Sequence, residues 1–394
     1  MTTGPSHPLA VTTWDGAEQR AAQAVLDSGQ TTMGPKVEAF EATFAGLVGS
    51  RYAVMVNSGS SANLLAVAAL FYTDPPLARA GAVAIVPAVS WATTYYPLTQ
   101  YGLTLRFVDI DPDTLNFDLP GLAKALDEDV AVVFAVNLLG NANDYTAIHK
   151  LLAGRNITLL EDNCEALGAR FDGRWTGTFG RIGTFSSFFS HHMSTMEGGV
   201  CVTDDEALWH NLLALRSHGW TRHLPQPNHV AGAHVVDGFH AAFQFVLPGY
   251  NVRPLEVSAA IGLEQLKKLP GFIAQRRQNA ALFASAMAEI PGVRLQREIG
   301  DSSSFGFAVT LTEAAKCSRS EVVAVLQRGG VETRPIVAGN FTRNPVMRWL
   351  AHEPPSPLPN ADRVHDHGFY IGNHAVDLSD VIGRVRDMIG TVAG

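Results

Sequence analysis

The sequence predicts an α/β fold: a mainly parallel sheet domain, followed by a smaller C-terminal α/β domain. Short apolar segments alternate with segments whose apolar residues recur at helical spacing, which is typical of parallel strands joined by helices. The strand candidates are strongly apolar, as expected where helices cover both faces of a sheet. The chain has 394 residues, 46% of them hydrophobic, and is therefore long enough to bury a large core and to form two domains.

Each predicted strand is a short apolar run, and most are followed by a helical pattern. The predicted strands cover residues 51–57, 82–88, 104–110, 130–137 and 157–161, with two more near 182–189 and 199–203. The predicted helices cover residues 37–48, 62–70, 119–126, 143–153, 205–217, 254–268, 270–289 and 378–391. We expect a large domain over residues 1–270 and a small one over residues 271–394.

Composition and charge exclude several classes of protein. The net charge is −8 and no run of lysine or arginine is present, so we do not expect nucleic-acid binding. No segment approaches the roughly 20 apolar residues of a membrane span, and the first residues do not form a signal peptide. The cysteines Cys164, Cys201 and Cys317 are widely spaced and odd in number, so they form neither a CxxC metal pattern nor a disulfide framework. We therefore expect a cytoplasmic protein.

A turn between the first predicted strand and its helix has the composition of an anion site. Gly59 and Ser60 lie in the run 57–63 (NSGSSAN), at the point where a helix begins. Free N–H groups at a helix start, with hydroxyls beside them, can bind a phosphate. The alternative is a serine that only caps the helix.

Two further candidates follow predicted strands. Asp162 and Glu165 come at the end of the strand 157–161, where α/β sheets place ligand groups, and a carboxylate there suits a protonated ring nitrogen. Trp91 follows the strand 82–88 and could stack on a flat ring. The alternatives are a turn or cap residue for the aspartate and core packing for the tryptophan.

The segment 186–199 contains two adjacent histidines, His191 and His192. Adjacent side chains rarely converge on one metal ion, and no partner stands at ligand spacing, so we expect no metal site.

Further on, Asn251 and Arg253 precede Pro254 at the start of a predicted helix and could present donors to a phosphate. The polar segment 219–250 between these regions has the length of a functional or interfacial loop.

The order and spacing of these segments resemble the DegT/DnrJ/EryC1/StrS family of fold-type I pyridoxal phosphate (PLP) enzymes. The resemblance begins near Gly34-Pro35 and extends through the C-terminal domain. It implies a seven-stranded, mainly parallel sheet and an obligate homodimer with shared active sites. The implied cofactor-binding residues are Gly59, Ser60 and Ser186 for the phosphate, Trp91 for the ring, Asp162 for the pyridine nitrogen, Glu165 beside it, and Asn251 from the neighbouring subunit.

The lysine that the family uses falls on His191, six residues before Glu197. In PLP enzymes a lysine amine binds the cofactor aldehyde as a Schiff base, which an imidazole cannot form. An imidazole can move protons near neutral pH. The chain has only six lysines, and none lies near this segment: Lys36, Lys124, Lys150, Lys267, Lys268 and Lys316. We therefore expect non-covalently bound PLP or pyridoxamine phosphate (PMP), with His191 as the catalytic base.

With a histidine in place of this lysine, the chain resembles one subgroup of the family, the 3-dehydratases of 3,6-dideoxysugar synthesis. Three cysteines without a close pair cannot hold a [2Fe–2S] cluster on four cysteines, which favours the cluster-free kind that uses L-glutamate as amine donor. The resemblance implies that the C3 hydroxyl is lost from a nucleotide-linked 4-keto-6-deoxyhexose. We expect the nucleotide to be GDP. The implied products are a 4-keto-3,6-dideoxysugar, 2-oxoglutarate and ammonia.

Weaker candidates for substrate binding are His218, Arg222 and Arg253, with a surface salt bridge as the alternative for Arg222. Two other functions stay open from the sequence. One is a sugar aminotransferase that takes its lysine from elsewhere in the chain. The other is a non-catalytic PLP-fold subunit that binds a partner or ligand.

Overall fold

A computed structural model describes residues 6–230, 238–241 and 243–393. The first five residues, on which the signal-peptide prediction depends, and part of the predicted loop 219–250 lie outside this range. Within the described residues, every helix is too short or too polar to cross a lipid bilayer.

The strands and helices alternate along most of the chain, as predicted. The strands are β1 (Tyr52–Val56), β2 (Val83–Pro87), β3 (Thr104–Val108), β4 (Val130–Val136), β5 (Thr158–Asp162), β6 (Arg170–Phe171), β7 (Arg174–Trp175), β8 (Ile182–Ser186), β9 (Gly199–Thr203), β10 (Val293–Leu295), β11 (Gly306–Leu311), β12 (Thr333–Arg334) and β13 (Gly368–Gly372). The helices are α1 (Gly16–Ser28), α2 (Pro35–Val48), α3 (Gly59–Leu70), α4 (Ala92–Gln100), α5 (Leu119–Ala125), α6 (Tyr145–Leu152), α7 (Glu206–Arg216), α8 (Gly238–Ala241), α9 (Glu256–Met287), α10 (Arg319–Arg328), α11 (Pro359–His367) and α12 (Ser379–Ala393).

The large sheet has seven strands in the order β1-β9-β8-β5-β4-β2-β3. The pairs β2–β3, β2–β4, β4–β5 and β5–β8 are parallel, whereas β9 runs antiparallel to both of its neighbours. This confirms the predicted α/β fold with a mainly parallel, seven-stranded sheet. Because β1 runs parallel to β8, the carboxyl ends of all strands except β9 lie at one edge of the sheet.

Both faces of this sheet are buried. Alternate residues of one strand point into different cores: Ala84 and Val86 of β2 belong to one apolar cluster, and Val83 and Ile85 belong to another. Side chains on a strand alternate between its two faces, so the two clusters lie on opposite sides of the sheet. This explains why the strands are apolar along their whole length in the sequence.

A second, antiparallel sheet of four strands, in the order β10-β11-β13-β12, lies in the C-terminal part. Its core includes Phe283 and Met287 from the end of α9, together with residues of α10 and α12. The same helix contributes Ile273 to a core of the large sheet. Helix α9 therefore connects the two cores, and the predicted division after residue 270 falls within this helix and stays a prediction.

Helix α9 is one continuous helix, where the sequence predicted two helices near 254–268 and 270–289. Pro270 inside it has no N–H to donate and normally ends or kinks a helix. The helix continues because tertiary packing outweighs this local effect. The apolar residues around the proline are buried in one core that also includes α2: Leu266, Leu269 and Ile273.

Glu256, at the start of α9, caps a different helix. Its buried carboxylate accepts hydrogen bonds from the backbone N–H groups of Gly34 (2.7 Å), Lys36 (2.6 Å) and Val37 (3.3 Å) at the start of α2. The first N–H groups of a helix have no partner within the helix, and negative charge is favoured there. Glu256 therefore fixes the position of α2 relative to α9.

We expect replacement of Glu256 by alanine to lower the free energy of unfolding by about 2–4 kcal/mol, because buried N–H groups would lose a charged acceptor. Urea denaturation followed by tryptophan fluorescence measures this change. The control is Glu289→Ala, at an exposed position just after the same helix, which should change the free energy by less than about 0.5 kcal/mol. Equal destabilisation by the two substitutions would contradict the capping role.

Candidate active site

A cavity of about 270 Å³ opens where the carboxyl ends of the strands meet. Parallel α/β sheets place ligand sites at this edge. Most of the residues that line it belong to the large sheet, at the ends of β1, β2, β4, β5 and β8 and in the turns that follow them. The others come from the C-terminal part of the chain. The lining residues are Ser58, Gly59, Ser60, Asn63, Ser90, Trp91, Thr93, Val136, Leu138, Asp162, Cys164, Glu165, Ser186, Phe188, Ser190, His191, Glu197, Phe305, Arg334 and Val337.

The start of α3 forms one wall of the cavity. Ser58 caps the helix, its hydroxyl accepting from the N–H of Ser61 at 3.1 Å. Gly59 and Ser60 are the first two helical residues, so their N–H groups have no partner within the helix. A Cβ atom on Gly59 would lie 2.6 Å from the Cβ of Ser186, so only glycine allows α3 and β8 to approach this closely. The serine that caps the helix, the alternative considered for this turn, is Ser58. Ser60 is exposed and borders the cavity.

Asp162, the last residue of β5, is buried at the floor of the cavity. Its Oδ2 accepts hydrogen bonds from Asn63 Nδ2 (2.8 Å) and Thr94 Oγ1 (2.7 Å). Its Oδ1 accepts from the N–H of Cys164 at 3.2 Å. A buried carboxylate is tolerated only with such donors, and the oxygens retain acceptor capacity toward the cavity.

Glu165 lines the cavity three residues further on. Its Oε2 accepts from the N–H of Leu139 at 3.1 Å, and Leu139 has a φ of +53°, which is unusual for a branched residue. Burial raises the pKa of this carboxyl to about 7, and nearby Asp162 adds to the rise. The Leu139 N–H and the Arg334 guanidinium oppose it. Glu165 can therefore donate or accept a proton near neutral pH.

His191 lies in the loop between β8 and β9 and lines the same cavity. Burial lowers the pKa of its imidazole to about 3, and the positive charges of Arg276 and Arg334 lower it further. The ring is therefore neutral at physiological pH, and an anionic ligand in the cavity would raise this pKa by offsetting the two arginines. His192 turns away from the cavity and is fully buried, with Nε2 lying 3.1 Å from the carbonyl oxygen of Ser303.

Trp91 and Ser186 also border the cavity. The side chain of Trp91 is 53% exposed, directly before α4, so the core-packing alternative does not apply. Ser186 ends β8, and its hydroxyl accepts from the N–H of Phe188 at 3.3 Å. The structure thus brings seven candidates together at one site: Gly59, Ser60, Trp91, Asp162, Glu165, Ser186 and His191.

The other candidates do not line this chain's cavity. His218 is exposed with a φ of +64°, and the exposed Arg222 lies over the Trp220 ring at 5.3 Å rather than in a salt bridge within the described residues. Asn251 is exposed, and its Oδ1 accepts from Arg253 Nε at 3.0 Å. These four residues are on the outside of the described chain.

Two functional candidates that the sequence does not predict line the cavity from the C-terminal part of the chain. Arg334, in β12, has a buried Nε without a hydrogen-bond partner and lies over the Tyr370 ring at 4.6 Å. Phe305 precedes β11 and contacts both histidine rings. Neither residue belongs to a local sequence pattern, so no signal in the sequence points to it.

The lining suits a flat anionic cofactor such as PLP. The N–H groups at the start of α3 could hold a phosphate, Asp162 could pair with a ring nitrogen, and the half-exposed indole of Trp91 could cover a ring face. None of the lining residues is a lysine, so the site offers no amine for a covalent bond to the cofactor. In the described part of the chain, no group of three or more histidine, cysteine, aspartate or glutamate side chains could hold a metal ion.

Comparisons with known proteins agree on one family. The model of the DegT/DnrJ/EryC1/StrS aminotransferase family matches residues 13–387. Over 383 residues the chain is 53% identical to GDP-4-keto-6-deoxy-D-mannose 3-dehydratase of Yersinia pseudotuberculosis, covering 97% of this chain and 98% of that protein.

Two solved structures resemble the whole chain. The Escherichia coli GDP-4-keto-6-deoxy-D-mannose-3-dehydratase with bound hydrated PLP has a TM-score of 0.96 and 50% identity, covering 98% of this chain and all of that one. A GDP-4-keto-6-deoxymannose-3-dehydratase with a trapped PLP–glutamate geminal diamine gives the same values. The chain therefore belongs to the DegT/DnrJ/EryC1/StrS aminotransferase family, as its sequence motifs predicted.

Proposed function

We propose that this protein is a PLP- and PMP-dependent 3-dehydratase of a nucleotide sugar. It removes the C3 hydroxyl of GDP-4-keto-6-deoxy-D-mannose with L-glutamate as amine donor, and releases a 4-keto-3,6-dideoxysugar, 2-oxoglutarate and ammonia. The observation that carries this proposal is a neutral histidine, with no lysine, in a cavity that also contains a buried aspartate. The similarity to two dehydratases over nearly the whole chain supports it.

The bound cofactor supplies a ring that accepts the electron pair released when bonds break beside it. The residues of the cavity would hold this cofactor in place. The N–H groups of Gly59 and Ser60 and the hydroxyl of Ser186 would hold the phosphate, and Trp91 would cover the ring. Asp162 would accept a hydrogen bond from the ring nitrogen, and Glu165 would lie beside the ring.

His191 is the proposed base. A lysine amine with an ordinary pKa near 10.4 is mostly protonated at pH 7, whereas the buried imidazole of His191 is neutral. An anionic cofactor or substrate beside it would raise the pKa of this imidazole toward neutrality, where taking up and returning a proton is typically worth ~10²–10⁴ in rate. An aminotransferase would need a lysine in the cavity, and the lining contains none.

Arg334 is the proposed contact for the carboxylate of glutamate. Its side chain reaches the cavity from the small sheet, and among the described residues it forms no salt bridge with a carboxylate. Its buried Nε lacks a hydrogen-bond partner, which leaves part of a planar donor fork available to a ligand. A carboxylate substrate would supply the missing acceptor.

We also propose that the protein works as a homodimer in which Asn251 reaches the cofactor phosphate of the neighbouring subunit. Asn251 and Arg253 are outside the cavity of their own chain. Large apolar side chains near them are exposed, among them Phe245 at 60% and Leu255 at 56%. Exposed apolar side chains grouped in this way mark protein interfaces. His218 and Arg222, in the same region, stay candidates for contacts with the substrate.

The cytoplasm is the proposed compartment. Cys164, Cys201 and Cys317 are all free thiols in the structure, which fits a reducing environment. Fractionation of producing cells, with the protein detected by antibody, tests this proposal.

The first test of function uses purified protein with PLP, L-glutamate and GDP-4-keto-6-deoxy-D-mannose. We expect 2-oxoglutarate, ammonia and a product that has lost one oxygen, all measured by mass spectrometry and coupled assays. His191→Asn should lower this rate by ~10²-fold or more, because the base is lost, while cofactor binding stays within a few-fold. The control is His367→Asn, at an exposed position outside the cavity, which should have wild-type activity. An aminosugar product, or an active His191→Asn variant, would contradict the proposal.

For Arg334→Gln we expect a ~10- to 100-fold higher KM for glutamate, because a charged hydrogen bond is worth about 1.5–3 kcal/mol. The KM for the nucleotide sugar should change much less. Steady-state kinetics with each substrate varied in turn measures both constants. Equal changes in the two constants would mean that Arg334 does not select the amino acid.

Complementation between two inactive variants tests the shared site. His191→Asn and Asn251→Ala should each have low activity alone. In a mixed dimer, both changes fall on one site and leave the other intact, so coexpression with two different tags should restore activity. The purified mixed dimer is assayed for 3-deoxy product, with each single-variant dimer as control. Absence of restored activity in mixed dimers would place Asn251 outside the neighbouring site.

A further inference from the structure

The imidazole of His191 is restrained mainly by ring contacts, with the backbone of Phe188 as its nearby hydrogen-bonding partner. Its Nδ1 is buried and makes no hydrogen bond of normal geometry. Catalytic histidines are usually oriented by such a bond at the second ring nitrogen. Here two phenyl rings are packed against the imidazole, Phe305 with a centroid distance of 5.2 Å and Phe188 at 6.0 Å.

Phe305 contacts both adjacent histidines. Its ring centroid lies 5.2 Å from that of His191 and 5.6 Å from that of His192. Two residues earlier, the carbonyl of Ser303 lies 3.1 Å from His192 Nε2, so this nitrogen carries the proton. The segment 303–305 therefore restrains both histidines, whose own loop has little regular structure.

The backbone of Phe305 is anchored on both sides. Its N–H donates to the carbonyl of Leu139 at 2.9 Å, in the same turn that binds Glu165. Its carbonyl accepts from Arg276 Nη1 at 3.1 Å. Asn373, next to β13, donates from Nδ2 to the carbonyls of both Ser304 (2.8 Å) and Arg276 (2.9 Å). These bonds connect Phe305 to the large sheet, to α9 and to the small sheet.

Arg276 adds a charge to these contacts. It is almost completely buried and, among the described residues, makes no salt bridge with a carboxylate. Its Nη1 donates to the carbonyls of Phe305 and Asn373. An unbalanced positive charge beside the two histidines disfavours the protonated form of either ring. The same arginine that anchors Phe305 thus helps to keep the imidazole of His191 uncharged.

We propose that Phe305 is a positioning residue for the reaction: its ring fixes the orientation in which the His191 imidazole faces the cavity. This inference rests on the proposed function, in which His191 is the base. A flat ring whose backbone is held by two hydrogen bonds can restrain an imidazole whose Nδ1 lacks a hydrogen bond of normal geometry. Displacement of a base by about 1 Å can cost ~10²-fold in rate, so loss of the ring is felt even though Phe305 takes no proton.

The test compares Phe305→Leu with Phe283→Leu. Phe283 is also buried, and it stacks on Phe307 at 4.3 Å in the core of the small sheet, so its loss should destabilise the fold without touching His191. We expect Phe305→Leu to lower kcat by ~10- to 100-fold, with KM values and cofactor affinity within about twofold. Phe283→Leu should keep the wild-type kcat at a comparable or lower Tm. Phe305→Met, which fills a similar volume with a flexible chain, replaces the leucine variant if that does not fold.

A second measurement does not depend on activity. Diethyl pyrocarbonate modifies neutral, accessible imidazoles, and peptide mass spectrometry gives the modification rate of each histidine in the cofactor-free protein. We expect His191 to react several-fold faster in Phe305→Leu than in the wild type or in Phe283→Leu. The exposed His367, outside the cavity, is the internal reference for the reagent, and the buried His374 reports any general loosening of the fold.

The outcomes separate this inference from the proposed function. An unchanged kcat and an unchanged modification rate of His191 in Phe305→Leu would overturn the positioning role. A kcat loss that Phe283→Leu reproduces at equal Tm would also overturn it, because general destabilisation would explain both. If the wild type forms no 3-deoxy product, the proposed function fails, while the modification rates still show whether Phe305 orients His191.

Discussion

The hydrogen bonds to the Asp162 carboxylate connect most of the structural parts on which the candidate site depends. A carboxylate at the buried end of a central strand is stable only if donors reach it, and here the donors come from α3, from α4 and from the backbone after β5. Asn63 is itself held, since its Oδ1 accepts from the hydroxyl of Thr184 in β8. The position of the carboxylate therefore determines the spacing of four elements around the cavity, including the start of α3 where the anion site is proposed.

The positive charges around the cavity complement this buried carboxylate. Arg334 lines the cavity from the small sheet, whereas Arg276 of α9 is buried outside the lining, and both make the protonated form of His191 less favourable. A site that takes up phosphate and carboxylate groups needs cations, and a base in the same site needs to stay neutral. Arg334 can serve both needs, which is consistent with a histidine in place of an amine that would itself carry a charge.

Much of the large sheet could be predicted from the sequence, because buried parallel strands are apolar runs that local periodicity detects. The candidate residues in turns after strands, such as Gly59 and Asp162, could be predicted for the same reason: a strand end is visible in the sequence and its location in the sheet follows. Arg334 and Phe305 could not be predicted, because they reach the cavity from strands of another sheet and depend on long-range packing. The sequence predicts two helices where the structure has the single helix α9, because the core that holds the helix together across Pro270 is not visible in the sequence.

Helix α9 also has a mechanical consequence. One end is embedded in a core of the large sheet and the other in the core of the small sheet, so the helix is a rigid connection between them. At Pro270 the helix lacks one backbone hydrogen bond, and the free-energy cost of bending a helix is lowest where such a bond is missing. Leu269 and Ile273, on either side of the proline, pack in the same core of the large sheet and hold the helix at that point. A bend that moved the small sheet, and with it Arg334, relative to the strand ends would therefore have to disturb this core.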